Sequence, residues 1–164
     1  MGAASLIPAD LVEMMARGVA VNVCSRGAGL RPSLMRAVGS DVSADGRSIT
    51  VFISRRQSRQ LVLDIAATGH IAAVFSEPAT HRSVQVKASR ATLRNAEPSD
   101  EPVLARYLAS MEREIQRVGF GPPVTRAMLA HRLDDVVAIS FEPEQAFEQT
   151  PGPQAGATLN RSRS

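Results

Sequence analysis

Six short runs of strand character follow one another along this sequence, and most are separated by turns rather than by helices. Val19–Ser25 puts Val19, Val21 and Val23 on one face and Ala20, Asn22 and Cys24 on the other. After the turn Arg26-Gly27-Ala28-Gly29 comes an extended segment over Pro32–Gly39. Asp45-Gly46 is a hairpin signal leading into Ile49–Ser54. Ile71–Ser76 follows, then a long run over Arg82–Leu93 in which Val84 and Val86 alternate with Ser83, Gln85 and Lys87. Val136–Phe141 is the last. A doubly wound parallel sheet would need a helix between successive strands. Hairpin-like neighbours predict a mainly β fold instead: a small six-stranded antiparallel barrel with peripheral helices.

The helical segments are few. Pro8–Arg17 carries Leu11, Met14 and Met15 on one face and stops at Gly18. Ser58 is placed to cap a helix through Ala67 that ends at Gly69. Ser99 is placed to cap an amphipathic helix whose stripe is Leu104, Tyr107, Leu108, Met111, Ile115 and Val118. That stripe predicts packing on the barrel or on a partner subunit. Gly119–Pro123 breaks the helix, and Thr125–Leu133 predicts a short further one. The organisation expected is a single domain over 1–149, with 98–133 a helical insertion before the last strand. From 150 to 164 a Pro/Gly-rich, then polar and basic stretch predicts a mobile tail.

A chain of 164 residues that is 44% hydrophobic and 21% charged can bury a real core as one soluble domain. No run approaches the roughly 20 apolar residues of a membrane helix. The start, Met1 to Asp10, lacks the basic and apolar regions of a secretory signal, so a cytoplasmic location is expected. The sole cysteine, Cys24, excludes an internal disulfide, and His70, His81 and His131 form no ligand pair, so no metal is expected. No nucleophile–base arrangement stands out, and no catalytic residue is assigned.

Charge is concentrated in the middle of the chain. Arg31 to Arg90 holds nine basic and four acidic residues, which makes that stretch +5 within a chain of net charge +3. A local basic centre favours a compact anion over a long polyanion. The aromatic content of 4% and the lack of a recognition motif argue against nucleic acid. Its densest part is Ser54-Arg55-Arg56-Gln57-Ser58-Arg59-Gln60, a turn between a strand and a helix. Backbone N–H groups at a helix N-terminus, with Arg and Ser beside them, suit a phosphate. Arg59 lies in the first turn, where a cation opposes the helix dipole unless an anion is bound. The plainer reading of Arg55 and Arg56 is a solvated, flanking charge.

Three segments in this order resemble the pyridoxamine 5′-phosphate oxidase-like, FMN-binding split-barrel family, over roughly residues 8 to 95. Arg31-Pro32-Ser33-Leu34-Met35-Arg36 is similar to the strand motif that brackets the flavin, with Arg36 in place of a lysine. Phe52-Ile53-Ser54 with Ser58-Arg59-Gln60 resembles the turn that holds the FMN phosphate, with one extra residue and Gln60 in place of a lysine. Glu77-Pro78 with Arg82-Ser83-Val84-Gln85-Val86-Lys87 resembles the third motif, with Ser83 where the family has a flavin-contacting glutamine. The chain has no tryptophan and no late Arg-X-His, which the true oxidase uses.

The resemblance implies a split barrel and an FMN site, in a short relative rather than the oxidase itself. Arg36, Ser58 and Arg59 would fix the phosphate, while Ser33, the backbone near Leu34, and Ser54 would line the ribityl chain or ring. Arg31, Gln60, Ser83 and Gln85 are the remaining candidate contacts. It also implies a homodimer with flavin at the interface, acting as an oxidoreductase on a small molecule. The alternative is a non-catalytic binder or sensor of flavin, or of a related cofactor such as haem or deazaflavin. By residue pattern alone, Ser83, Gln85 and Lys87 read more commonly as the wet face of a half-buried strand.

Overall fold

The computed structural model describes residues 5–159. In chain order the elements are α1 (Ala9–Arg17), β1 (Ala20–Arg26), β2 (Pro32–Arg36), β3 (Gly39–Val42), β4 (Ile49–Ser54), α2 (Arg59–Thr68) and β5 (Ile71–Ser76). They continue as β6 (Ser83–Ala88), β7 (Thr92–Asn95), α3 (Glu101–Arg117), α4 (Pro122–Met128), β8 (Val136–Phe141) and β9 (Gln145–Glu148). The strands form two antiparallel sheets, ordered β2-β1-β5-β6-β9 and β3-β4-β8-β7, that do not close into one barrel. The fold is mainly β with peripheral helices.

Nine strands stand among the described residues where six were expected. Two of the expected segments turn a corner between the sheets. Pro32–Gly39 splits at Ala37 and Val38, whose N–H groups reach Val21 O in one sheet (2.9 Å) and Phe52 O in the other (2.7 Å). Arg82–Leu93 splits at Ser89–Ala91 into β6 and β7, and the Ala91 N–H pairs with Gly69 O (2.9 Å). An extended chain that changes sheets keeps its alternation, so periodicity alone does not reveal the bend. β9 shows no alternation in the sequence because Ala146 is its only fully buried side chain.

The main core lies between the sheets and includes Val21, Val23, Ile49, Val51, Ile53, Phe75, Val84 and Val86. β4 is buried along nearly its whole length because it is packed on both sides. Its outward Phe52 joins Val38, Leu104, Val136 and Ala138 in a second cluster under α3. Of the expected α3 stripe, Leu104, Tyr107 and Met111 are buried, and only Val118 is exposed. Leu104 thus joins the cluster on the outward side of the four-stranded sheet, while Tyr107 and Met111 join the main core, and the outward residues of β1, β2 and β5 in the five-stranded sheet stay at least partly exposed.

Ser99 does not cap α3. The Asp100 carboxylate accepts the Glu97 N–H (2.8 Å) and takes a two-pronged contact from Arg94 (2.6 and 2.8 Å). The Arg94 guanidinium holds the Asp100 carboxyl below its usual range, against the opposing effect of burial. A depressed folded pKa contributes stability that is complete above the unfolded value and lost as pH falls through the folded one. Arg94→Ala is therefore expected to flatten the fall in stability below about pH 4, read by urea unfolding at a series of pH values. Thr125 in α4 is fully buried and its hydroxyl has no partner among the described residues. Thr125→Val, which keeps the shape, is expected to raise stability by about 1 kcal/mol in the same assay.

Residues 150–159, the described part of the expected tail, lie back along β9. Glu148 N–H donates to Ala157 O (2.9 Å), Leu159 N–H to Ala146 O (2.8 Å), and Phe147 bridges Thr158. Leu159 packs on the main core, which is the physical reason the stretch is held. Residues 160–164 of that expectation lie outside the described residues. No helix of the described residues is long and apolar enough to cross a membrane.

Candidate functional site

The turn between β4 and α2 is built around Asp135, just before β8. Its carboxylate accepts the Ser54 hydroxyl (2.6 Å) and the Arg56 N–H (3.2 Å), and its carbonyl accepts the Arg55 N–H (2.7 Å). The N–H groups early in the turn are thus satisfied from within, and Ser54 is engaged there. Arg55 reaches Asn95 Oδ1 (2.6 Å), while Arg56 stays exposed at 3.9 Å from Asp135. Both side chains are exposed and turned to groups of the protein itself.

The next residues differ. Ser58 precedes α2 but its side chain makes no capping hydrogen bond. Its hydroxyl is buried and has no partner among the described residues. The Arg59, Gln60 and Leu61 N–H groups, the first of the helix, have no acceptor among the described residues. Arg59 is exposed and in no ion pair among them. Donors, dipole and guanidinium therefore converge at this one helix end.

Ser33 and Gln60 are brought together, but on a shared internal partner. Asp64, buried on α2, accepts Ser33 Oγ (2.6 Å) and Gln60 Nε2 (2.8 Å). This clamp fixes the helix against β2 and uses the polar ends of both side chains. Asp64 and Asp135 are the structural residues that sequence reasoning missed. An acid on the buried face of a helical pattern is the signal that would have flagged Asp64.

β2 runs along the edge of the five-stranded sheet, with Ser33 and Met35 inward and Leu34 and Arg36 outward. Arg31 precedes the strand, so it and Arg36 stand at opposite ends of β2, both exposed. Arg36 lies against the sulfur of Met128 at the end of α4. On the outer sheet face the register aligns Arg36, Asn22, Val74, Gln85 and Phe147 in one row across β2, β1, β5, β6 and β9. Arg36 and Gln85 thus share a face, about 14 Å apart over three strand spacings. Ser83 is buried, and its hydroxyl donates within reach of Ser76 Oγ (2.8 Å) and His81 O (2.9 Å). It is therefore tied into the β5–β6 turn.

The outer face mixes half-buried Ala20, Cys24, Ala72 and Val74 with exposed Leu34 and polar Asn22, Gln85 and Lys87. Burial pushes the Cys24 thiol up, so it stays protonated at neutral pH.

The sequence matches no family profile and no curated protein. The fold is similar to several solved structures. One is a pyridoxamine 5′-phosphate oxidase-related, FMN-binding protein of Nostoc punctiforme, at 12% identity and TM-score 0.50, covering 88% of this chain and 84% of that one. Another is an F420 reductase, at 15% identity and TM-score 0.51, covering 85% and 98%. A third is HupZ of Group A Streptococcus, at 13% identity and TM-score 0.54, covering 92% and 99%. The likeness is one of fold.

Proposed function

We propose that this chain binds a flavin, most simply FMN, and works as a flavin-dependent oxidoreductase on a small molecule. The observation that carries the reading is the N-terminus of α2: three unpaired N–H groups, a buried unpartnered Ser58 hydroxyl and an unpaired Arg59. A phosphate would satisfy the N–H groups and the guanidinium, and would give the buried Ser58 hydroxyl a partner if that side chain turned outward. Its setting supports the reading, since the same fold serves an FMN-binding protein and an F420 reductase.

In this reading Ser58, Arg59 and the helix N–H groups hold the phosphate. Arg36 and Gln85 and the free edge of β2 at Leu34 would face the rest of the molecule, with Arg31 at the other end of the strand. Ser33, Gln60, Ser54 and Ser83 act one step away, by fixing the helix, the turn and the sheet that present these groups. The flavin would supply the electron transfer, and the chain supplies anchoring, orientation and the polarity of the face. The open, half-apolar sheet face suits a second copy of the chain, so a homodimer with flavin at the interface belongs to the proposal. A binder without catalysis is the alternative.

The test is an absorbance spectrum of purified protein with added FMN after removal of free ligand. Flavin bands that stay with the protein support the reading, and a colourless protein at micromolar FMN overturns it. Bleaching by NADH or NADPH without oxygen then separates a reductase from a passive binder. Ser58→Ala gives a sharper check. Removing a buried unpartnered hydroxyl is expected to leave the ligand-free protein as stable or slightly more stable. FMN affinity is expected to fall about tenfold, read by fluorescence titration. Equal affinity would mean that Ser58 does not face the phosphate.

A further inference from the structure

At one end of the open sheet face lies a cavity of about 620 Å³, between the β1–β2 turn and the β8–β9 link. Its volume falls within the range of small-molecule sites. None of the residues assigned above to the phosphate, the ribityl chain or the ring lines it. The floor is apolar: Cys24, Ala72 and Pro32. Two cations reach it from opposite sides, Arg26 from the end of β1 and Lys87 from β6. The register pairs Cys24 with Ala72 and Ala72 with Lys87, which puts the Arg26 and Lys87 backbones about 12 Å apart. Their long side chains can close that span on one group.

Neither cation has a carboxylate partner among the described residues. Lys87 Nζ sits 4.8 Å from the centre of the Phe147 ring on β9, the side away from β1, so a ligand held with Arg26 would draw it back across β6. The carboxylate in the lining, Glu144, is turned to Ser89, whose hydroxyl and N–H it accepts (2.8 and 3.1 Å). The cationic side of the cavity is therefore uncompensated.

A second observation points to the same place. Leu30, at the cavity mouth, has φ 62° and is 67% exposed. A bulky residue in the left-handed region costs on the order of 1 kcal/mol, and such strain gathers at functional sites. Here it holds an apolar side chain out over the opening.

We propose that this cavity binds a small anion with an apolar, ring-sized body, its carboxylate or sulfonate between Arg26 and Lys87 and its body on Cys24, Ala72 and Pro32. The site lies one row along the sheet from Arg36 and Gln85. If the flavin reading holds, the cavity serves the second reactant. The inference stands on its own cavity whether or not a flavin binds.

Cys24 is the sole cysteine of the chain, so its alkylation by uncharged iodoacetamide reports on the floor of this cavity alone. The probe is 2-naphthoate, compared with the neutral 2-naphthamide and with inorganic phosphate. At ten times its Kd, 2-naphthoate is expected to slow alkylation about tenfold. Naphthamide and phosphate are expected to change it little. Arg26→Gln with Lys87→Gln should remove the protection. Leu30→Gly should weaken it without lowering the thermal midpoint, because glycine relieves the backbone.

Equal protection by the amide, or none by naphthoate, overturns the proposal. So does protection that follows protein concentration instead of probe, because a second copy then fills the cavity. FMN uptake is measured separately by absorbance. A protein that takes up FMN but ignores naphthoate loses this inference and keeps the flavin reading, and the opposite result does the reverse.

Discussion

Arg59→Ala is expected to weaken FMN binding about 10- to 100-fold while leaving the ligand-free protein as stable as before, or slightly more stable. The two effects have one cause. In the first turn of α2 the guanidinium faces the positive end of the helix dipole, which costs about 0.3–1 kcal/mol when no anion is present. With a phosphate in place the same group makes a charge-assisted hydrogen bond worth about 1.5–3 kcal/mol. Fluorescence titration of FMN and urea unfolding of the free protein read the two halves. Arg55→Ala is the control, because Arg55 is turned to Asn95 and should change affinity by no more than roughly twofold. Similar losses in both variants would assign the effect to general charge, and unchanged affinity in Arg59→Ala would remove the phosphate from this helix end.

Gly69→Ala is expected to cost about 2–4 kcal/mol, which lowers the thermal midpoint by about 5–15 °C. Gly69 ends α2 at φ 70°, and a Cβ there would lie 2.6 Å from the Ser89 carbonyl oxygen. A side chain could swing aside, but this neighbour is backbone. It belongs to the corner where the chain leaves β6 for β7, which the Ala91 N–H pins to Gly69 O. Gly119→Ala makes the comparison clean. Gly119 has φ 97° and nothing within 4 Å of its would-be Cβ, so only the conformational term of about 1–2 kcal/mol applies. Calorimetry on both variants isolates the close approach. Equal losses would show that the backbone corner yields.

The features legible in the sequence were those set by local chemistry. Val19, Val21 and Val23 declare a buried face by alternation. Gly18 and Gly69 end helices because glycine tolerates positive φ, and both do so here. What the sequence hides is the long-range choice of partner. Pro32–Gly39 reads as one strand, yet its two halves pair with β1 and β4, decided by Val21 and Phe52 far along the chain. Ser54 and Gln60 have the right chemistry for a ligand, but Asp135 and Asp64 are closer, and a carboxylate at hydrogen-bond distance takes them first. Ser58 and Arg59 stay unpaired because no acid among the described residues lies opposite them. The absence of a competitor is a property of the folded neighbourhood and leaves no trace in the motif.

The return of the chain over residues 150–159 has a consequence for assembly. Without it the five-stranded sheet would offer hydrogen-bonding edges on both sides, at β2 and at β9, and copies could add at either end without limit. The contacts of Glu148, Phe147 and Leu159 with their own chain occupy the β9 side. One edge of this sheet remains, and it is short and bounded by Pro32 and Arg36. A sheet with a single usable edge can be matched once, by another like itself, and then has nothing left to extend. The fold-back thus acts as a chain terminator, which keeps copies from adding to this sheet on the β9 side.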